Sequence, residues 1–585
     1  MTNKKTREFL ITTPLKSTWK PFKKNIFLNY ETIFEKKTID KRKTYVYSKP
    51  FGVSLKEKLA SQKYIHELSE EILKDLSYKL NEYHGLNLSA RCWKIILGNC
   101  VRRIINIIFY RYKCLENVTK LKKNLVTTAS NPEDYKLNTA DSLNIDMCTQ
   151  DDEWNYNLIS NILRISFQNK IKLVHHKTKN NFYKNQFFKI EYSWFKKKIF
   201  YFINNLAKIF NKKKSYFIYR SYLDKFSETR LNFFLGQIPT FETLDKNQEM
   251  IPRYNKKKRE ILNLDKKKVT EIERVIRKLI PKIIPSCFLE NFEILKKEAF
   301  QLPWPSNPRA IITANSYEFN ELFKIWAAFK ISEGSKYFIF QHGSLNSNST
   351  LKEMTNEYVV CDKFFYWGKK FNNKKGIEAF NFKLFNKKTN FRKKNILVIC
   401  KGKGHNNFSY DRIYEHKIIY ENLIKFTKLL PKRILDNVYF RVRRDLKKNI
   451  EADYLISKKL NIVSNKENIF DLTRRKSLVI YFYNSTGVYE NLTLNIPTMF
   501  LWSDSKNHLN SQNLDFINYC KKNKIFHNSA ESLVNELILR YNNIDEWWKN
   551  DALQKSRKLM CEKYSIYPDN IKLLELSKKI KRASK

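Results

Sequence analysis

The sequence lacks the features that mark several common classes of protein. It has only 11 glycines and 14 prolines in 585 residues, and its nine scattered cysteines form no CxxC pair and no cluster with the spacing of zinc ligands. It contains no Walker A, GxSxG or HExxH motif. These absences argue against a disulfide-stapled domain, a zinc-binding fold, a P-loop nucleotidase and the common serine and zinc hydrolases.

Long apolar runs are missing as well. No stretch approaches the ~18 uncharged apolar residues that a membrane-spanning helix needs, and the nearest candidate, residues 95–110, is interrupted by Arg102 and Arg103. The first residues are not followed by the apolar segment and cleavage site of a signal peptide. Together with the scattered cysteines, these features predict a protein of the reducing cytoplasm.

Acidic residues are few relative to basic ones: 58 Asp and Glu against 111 Lys and Arg, a formal charge of +53. Such a charge is typical of proteins that bind nucleic acid or an anionic membrane. Codons rich in A and T are an alternative source of the lysines, because Asn, Ile, Phe and Tyr are also abundant. The lysines are spread along the whole chain, and no RRM, KH, OB or helix-turn-helix signature is present. A basic nucleic-acid-binding protein therefore stays an alternative, and no specific nucleic acid is expected.

The remaining composition is that of a folded protein with more than one domain. Hydrophobic residues make up 42% of the chain and aromatic residues 15%, which is ample for burial, and 585 residues are too many for one core. Residues 115–160 are polar and rich in Asn and Asp, which predicts an exposed insertion. Residues 196–214 predict an aromatic helix bracketed by lysines, which either lies on a membrane surface or packs on the rest of the protein. A Lys- and Asn-rich linker is expected near residues 369–392.

The most informative stretch, residues 481–502, predicts a strand, a polar turn, a helix and a second strand. The turn residues Asn484, Ser485 and Thr486 are helix-capping types, and Gly487 opens the helix. The backbone N–H groups at a helix start bind phosphate well. Glu490 lies one turn further, within reach of a hydroxyl beside that phosphate. This pattern predicts a nucleotide site, and an ordinary capped crossover helix is the alternative.

A second segment ends a predicted strand with Gln341, His342 and Gly343. The glycine allows the backbone or a ligand to approach closely. A histidine near its unperturbed pKa is the usual general base at neutral pH, so His342 is the predicted base. The alternative is that His342 only anchors the turn by a hydrogen bond.

Cations that could offset phosphate charge follow two other predicted strands. Lys401 and Gly402 begin a basic turn after residues 395–400. The alternation of the strand at 437–442 places Arg441 and Arg443 on the same face, where they form either a carboxylate or phosphate clamp or simply solvent-exposed charge. No paired-carboxylate motif such as DxD ends a strand. We therefore expect no metal and no cofactor, and activity that survives chelation.

These segments resemble a family of bacterial sugar transferases from surface-polysaccharide and lipopolysaccharide gene clusters. Further segments that carry the resemblance, in chain order, are Thr12-Thr13-Pro14 with Trp19, Asn81-Glu82-Tyr83-His84-Gly85 with Ser89 and Trp93, Phe323-Lys324-Ile325-Trp326-Ala327-Ala328, Gly334, Trp367-Gly368, Asn495-Ile496-Pro497 and Trp547-Trp548. The chain departs from the family pattern after Gly343, where Ser344 replaces a second glycine. More distantly, the chain is similar to CDP-glycerol phosphotransferases and to capsule Kdo transferases.

The resemblance implies a GT-B-like α/β fold with two Rossmann-like domains that face a cleft. We expect an N-terminal acceptor domain at residues 1–375, with a helical, lysine-rich insertion at about 115–260, and a C-terminal nucleotide-donor domain at 390–575. Gln341 and Gly343 would contact the substrate, and His342 and Glu490 would be catalytic. The polar turn and the nearby cations would bind the donor.

The expected function is that of a nucleotide-sugar-dependent glycosyltransferase of lipopolysaccharide O-antigen or capsule synthesis. A CDP-alditol-type glycerophosphotransferase is the alternative. The expected partners are a nucleotide-activated sugar donor, a glycan or lipid-linked acceptor and an anionic membrane surface. The expected location is the cytoplasm, with peripheral contact at the inner membrane.

Overall fold

The computed structural model describes residues 7–29, 44–178, 194–210, 215–240, 252–343, 352–369, 374–387, 393–402, 408–442, 450–464, 466–509 and 514–585. Within these ranges the chain has an α/β fold in which three sheets follow one another along the sequence. All strand pairs described in the three sheets are parallel. The expectation of a Rossmann-like α/β protein is confirmed at this level.

The first sheet has five strands in the order β3-β2-β1-β4-β5. Its strands are β1 (Glu8–Ile11), β2 (Lys24–Phe27), β3 (Thr44–Tyr47), β4 (Leu125–Ala129) and β5 (Ile171–His175).

The second sheet also has five strands, in the order β10-β9-β8-β7-β6. Its strands are β6 (Tyr216–Tyr219), β7 (Ala310–Thr313), β8 (Lys336–Phe340), β9 (Lys363–Tyr366) and β10 (Gly376–Glu378).

The third sheet has six strands in the order β13-β12-β11-β14-β15-β16. Its strands are β11 (Lys393–Ile399), β12 (Val438–Arg441), β13 (Asn461–Ile462), β14 (Lys476–Tyr481), β15 (Thr498–Leu501) and β16 (Phe526–His527).

The helices connect and cover these strands, as crossovers between parallel strands require. They are α1 (Leu55–His84), α2 (Ala90–Leu121), α3 (Ser142–Cys148), α4 (Asp152–Ser166), α5 (Trp194–Phe210), α6 (Lys225–Leu235), α7 (Lys256–Arg259), α8 (Glu271–Ile283), α9 (Phe292–Gln301), α10 (Ser316–Phe319), α11 (Glu321–Ser332), α12 (Asn356–Val360), α13 (Arg412–Leu429), α14 (Lys432–Leu435), α15 (Ile450–Ser457), α16 (Ile469–Thr473), α17 (Thr486–Thr493), α18 (Leu514–Lys522), α19 (Ala530–Arg540), α20 (Ile544–Lys549), α21 (Asp551–Tyr564) and α22 (Asn570–Ala583). No helix in the described part of the chain is long and apolar enough to cross a membrane.

Three large hydrophobic cores organise these elements. The first runs from Leu10 to Tyr366, so the first sheet, the long helices α1 and α2 and one face of the second sheet share it. The second core covers the other face of the second sheet, where α6 and α22 supply leucines and isoleucines. The third core lies around the third sheet. Helix α22 thus packs on the second sheet although it follows the third sheet in sequence.

The prediction that residues 115–160 form an exposed insertion is wrong, because this stretch is largely buried. It supplies β4, a central strand of the first sheet whose five residues are all buried. In α4 the buried amides of Asn155, Asn157 and Asn161 donate to backbone carbonyls one turn earlier, at 2.8–2.9 Å. Buried asparagines that are hydrogen-bonded in this way do not need solvent, so polar composition does not indicate exposure here.

The helical insertion expected at about residues 115–260 is corrected in the same way, because this range supplies β4 and β5 to the first sheet and β6 to the second. The linker expected at 369–392 likewise contains β10, which pairs with β9. β10 is only three residues long, too short for its side-chain alternation to be recognised among lysines and asparagines. The proposed domain boundaries themselves stay a prediction.

The lysine-bracketed helix predicted at 196–214 is α5, and residues 211–214 lie outside the described residues. Ile199, Tyr201 and Phe202 are exposed on it, while Asn204 and Ala207 are buried. Apolar side chains therefore face outward from α5. Its contact with a membrane stays a prediction.

Several segments that carry the family resemblance hold the fold together. Asn81 Oδ1, near the end of α1, accepts from Trp93 Nε1 at 2.8 Å, and the His84 ring packs on Trp93. Asn495 Oδ1 accepts from Trp548 Nε1 at 2.9 Å. These contacts hold α1 against α2, and the residues after α17 against α20.

Gly52 marks where the segment before α1 contacts the segment that precedes α13. Its φ is +71°, and a Cβ there would lie 2.5 Å from Tyr410 Cβ. We expect Gly52→Ala to lower the free energy of unfolding by ~1–3 kcal/mol through overpacking. Gly85→Ala is the matched control, because Gly85 has a φ of +63° but open space around it. Equal losses of stability in a urea titration of the two variants would contradict the packing argument.

Candidate functional site

The loop after β8 is fixed by the buried side chain of Gln341. Its Oε1 accepts from Trp367 N at 2.9 Å, and its Nε2 donates to Gly343 O at 2.8 Å. Trp367 Nε1 also donates to Gln341 O at 2.8 Å. The amide of Gln341, predicted to bind substrate, is thus occupied by the backbone on both sides. It shapes the loop that presents His342.

His342 is half-buried and lies between two tyrosines. Tyr317 Oη is 3.0 Å from His342 Nδ1, and the Tyr222 ring stacks on the imidazole with 6.5 Å between centroids. Tyr222 Oη accepts from Asn315 Nδ2 at 2.8 Å. Burial raises the pKa of both phenols, that of Tyr317 well above its usual value. The imidazole is therefore held by neutral tyrosines on both sides.

The polar turn after β14 has the predicted geometry of a helix start. Ser485 is the N-cap of α17, and its Oγ accepts from Gly487 N at 3.2 Å. Gly487 is needed because a Cβ there would overlap the Tyr481 hydroxyl. Residues 484–487 are all half-exposed, so the N–H groups at this end of the helix can be approached from solvent.

The two strand-end loops meet. A Cβ built on Gly343 would lie 3.5 Å from Thr486 Oγ1. The loop that carries His342 thus lies against the first residue of α17.

Lys383 lies between the residues around His342 and the helix that follows the polar turn. Its Nζ lies 3.5 Å from Glu490 Oε1, 4.9 Å from the centre of the Tyr222 ring and 5.8 Å from that of Trp367. Burial raises the pKa of Glu490, and the Lys383 ammonium opposes that shift. A carboxylate and a cation therefore lie beside the tyrosine that packs on His342.

The backbone around Lys383 is tied to α17 through one serine. Asn381, which caps the short turn that carries Lys383, donates from Nδ2 to Ser565 Oγ at 3.0 Å. Thr493 Oγ1 of α17 lies 2.8 Å from the same Ser565 Oγ. Both hydrogen bonds are buried. They hold Lys383 and Glu490 in register with each other.

The site lies at the carboxyl ends of the parallel strands, where α/β proteins bind ligands. Each strand of the second sheet is followed by a residue of the site: Tyr222 after β6, Asn315 and Tyr317 after β7, His342 after β8, Trp367 after β9 and Lys383 after β10. The third sheet contributes the turn after β14. We refer to this group, with residues 484–487 and Glu490, as the strand-end site.

Two of the cationic side chains predicted to bind phosphate, those of Lys401 and Arg441, contact other residues instead. Lys401 Nζ forms a buried ion pair with Glu415 Oε1 at 2.8 Å, and burial lowers the pKa of Lys401 to about 8. Gly402 follows with a φ of +70°. Arg441 donates from Nη2 to Glu467 O at 3.0 Å. Arg443 lies outside the described residues, as do residues 403–405 of the basic turn and Ser344.

Within the described ranges no group of three His, Cys, Asp or Glu side chains could hold a metal ion. The arrangement instead suits an anion, because Lys383 and the start of α17 both attract negative charge. Glu490 offers an acceptor for a hydroxyl at the same place.

The sequence did not single out Tyr222, Tyr317 or Lys383. Tyr222 and Tyr317 follow strands β6 and β7, so the rule that led to His342 could also have found them. Tyr222 has a left-handed φ of 67°, a conformation that is uncommon for an aromatic residue and often marks a functional site. Lys383 carried no signal, since it is one lysine among many in a stretch predicted to be a linker.

A search of curated proteins finds no match to this chain. The family model described as LIC12162 family transferase matches residues 8–580, which covers all three sheets. The match includes both loops of the strand-end site and nearly all of α22. A transferase is an enzyme, and a site with a cation, a carboxylate and a half-buried histidine is consistent with one. The chain belongs to the LIC12162 family of transferases.

Proposed function

We propose that this transferase moves a sugar from a nucleotide-activated donor to a glycan or lipid-linked acceptor in bacterial surface-polysaccharide synthesis. The observation that carries the proposal is the approach of Gly343 to Thr486 Oγ1, 3.5 Å from a Cβ built on the glycine. It brings His342 beside a helix start suited to phosphate. A group transferred from a phosphate at that helix start would lie next to the histidine.

In this proposal the donor phosphates lie on the start of α17. Ser485 Oγ already accepts from Gly487 N, and its hydroxyl hydrogen can be given to a phosphate oxygen. The helix start carries a partial positive charge, and Lys383 adds a full one at 3.5 Å from Glu490. The predicted contributions of Lys401 and Arg441 would require them to leave their present partners.

The transfer itself needs a group that takes a proton. The acceptor hydroxyl oxygen forms a bond to the sugar carbon, the bond from that carbon to the phosphate oxygen breaks, and its electron pair stays on the phosphate. The hydroxyl proton goes to a base, which is His342 if its Nε2 is unprotonated, or else Glu490. Both side chains are partly shielded from water, which strengthens their interactions with charge.

A CDP-alditol-type phosphotransferase is the second candidate, because the same phosphate-binding helix start would serve it. Thermal denaturation with UDP-, GDP-, TDP-, CDP- and CMP-linked compounds separates the two. A ligand at 100 times its Kd adds ~2.7 kcal/mol to stability. Stabilisation by a nucleotide sugar supports the glycosyltransferase, and stabilisation by a CDP-alditol alone supports the phosphotransferase. Stabilisation by none of them would contradict both.

Replacing Ser485 and Thr486 together with alanine tests the placement of the phosphates. We expect donor binding to weaken by ~1–3 kcal/mol if the hydroxyls bind phosphate. The loss of the N-cap also lowers stability by ~1 kcal/mol, so donor affinity is measured by titration at a temperature where both proteins are folded. Ser556→Ala, a helix serine whose Oγ donates to the Ala552 carbonyl at 2.8 Å, is the control. Unchanged donor affinity in the double variant would count against this placement.

Peripheral contact with the inner membrane is part of the same proposal. The support is the formal charge of +53 together with the exposed apolar residues of α5. Flotation with anionic vesicles at low and high salt tests this contact. Phe202→Ser is the informative variant because the Phe202 side chain is exposed. An absence of binding at both salt concentrations would favour a soluble acceptor.

A further inference from the structure

We infer that Tyr317 holds the neutral His342 imidazole in the tautomer that carries its proton on Nε2, so that the ring meets the donor as a hydrogen-bond donor. Tyr317 is a positioning residue in this inference, since it acts through His342. The position of the proton follows from the geometry of the pair. That the group it meets is a donor phosphate rests on the proposed function.

The Tyr317 hydroxyl is buried at the carboxyl end of β7. The residue is 3% exposed, and its Oη lies 3.0 Å from His342 Nδ1. Among the residues that the structure describes, this nitrogen is the one hydrogen-bond partner of the hydroxyl. A buried hydroxyl directs its hydrogen at an available acceptor. For Tyr317 that acceptor is Nδ1.

The phenol keeps its hydrogen because its surroundings disfavour the phenolate. Burial raises the pKa of Tyr317 well above its usual value, and Glu357, Glu318, Tyr337 and Tyr222 act in the same direction. Glu318 itself pairs with Arg103 at 3.0 Å. The O–H group therefore donates, and Nδ1 accepts.

The opposite arrangement is less favourable. If Nδ1 carried the proton and donated to Tyr317 Oη, the phenol hydrogen would have no acceptor in the described surroundings. A buried hydrogen-bond donor without an acceptor disfavours the tautomer that creates it by roughly tenfold or more. The proton of the neutral ring therefore lies on Nε2.

This proton position divides the chemistry between two residues. Nε2–H donates to the phosphate oxygen on which negative charge grows as the bond to the sugar carbon breaks. The acceptor hydroxyl then gives its proton to the Glu490 carboxylate, which becomes a neutral acid. The electron pair of the broken bond stays on the phosphate, so charge and protons balance. Glu490 is nearly buried and lies 3.5 Å from Lys383 Nζ, which itself lies over the ring of Tyr222 beside His342.

Nitrogen-15 NMR of the full chain with labelled histidine side chains tests the tautomer without donor or acceptor. The His342 signals are identified by their loss in His342→Gln, and spectra are recorded well above the pH at which the ring protonates. We expect a pyridine-type shift for Nδ1 and a pyrrole-type shift for Nε2. A pyrrole-type Nδ1 in the wild-type protein would overturn the inference.

Tyr317→Phe should move both His342 shifts toward the averaged values of mixed tautomers, because the ring loses its hydrogen-bond donor. Tyr337→Phe is the matched control, since it removes the hydroxyl of a neighbouring buried tyrosine. His342 shifts that are the same in Tyr317→Phe and wild type would also overturn the inference. The failure of every nucleotide compound to stabilise the protein would remove the proposed function and leave the tautomer standing, so the two failures are distinguishable.

Discussion

Changing His342 to alanine is expected to lower kcat by ~10²–10⁴-fold, whether the ring acts as a base or donates a hydrogen bond to the leaving phosphate. Donor affinity and Tm should stay close to those of the wild type, because the ring is half-buried and the loop is held by Gln341. Steady-state kinetics with calorimetric donor titration and thermal denaturation measure all three quantities.

His175→Ala is the matched control for this variant. His175 ends β5 in the first sheet, and its side chain is 52% exposed. The control should retain the wild-type rate. Turnover at the wild-type rate in His342→Ala would remove the residue from the mechanism, and an unfolded variant would show that its role is structural.

The second large effect is expected for Lys383→Ala, which should weaken donor binding by ~10–150-fold, the equivalent of ~1.5–3 kcal/mol for a hydrogen bond to a charged group. The same variant leaves Glu490 buried without its cation. Burial already raises the pKa of Glu490, and Lys383 opposes that shift, so removing the lysine raises the pKa further. If Glu490 takes the acceptor proton as proposed, its ionised carboxylate is the active form, and the acidic limb of the kcat–pH profile should move to higher pH.

Lys387→Ala separates this effect from a general loss of positive charge. Lys387 lies four residues further on and packs over the Phe470 ring at 5.6 Å from its centre. It should leave both donor affinity and the pH profile unchanged. Equal weakening in the two variants would indicate that the overall charge of the protein, and not the position of Lys383, attracts the donor.

Much of the fold near the site could be predicted from the sequence because its strands are fully buried. The strand expected before Gln341 is β8, and the strand expected before the polar turn at Asn484 is β14. Such strands read as continuous apolar runs that end in polar residues. The first sheet was harder to predict, because its strands are separated by helices as long as α1 and α2.

The site was predictable where a single segment carries its own signal. The turn at 484–487 combines capping residues with a glycine, and Gln341-His342-Gly343 interrupts an apolar run. Contacts between segments carry no such signal. Lys383 lies beside Glu490, more than a hundred residues away in sequence, and Lys401 pairs with Glu415 instead of facing the site. Only the packing of the sheets decides which of many lysines reaches the carboxylate.

The position of α22 has a consequence for how the protein is made. This helix buries Leu573, Leu576 and Ile580 against the sheet that carries His342, yet it is translated after the whole third sheet. The apolar face of β6 to β9 therefore stays uncovered by α22 while the ribosome synthesises about two hundred further residues. During that interval the nascent chain exposes an apolar surface of the kind that chaperones recognise, and the second core closes only once the third sheet has emerged.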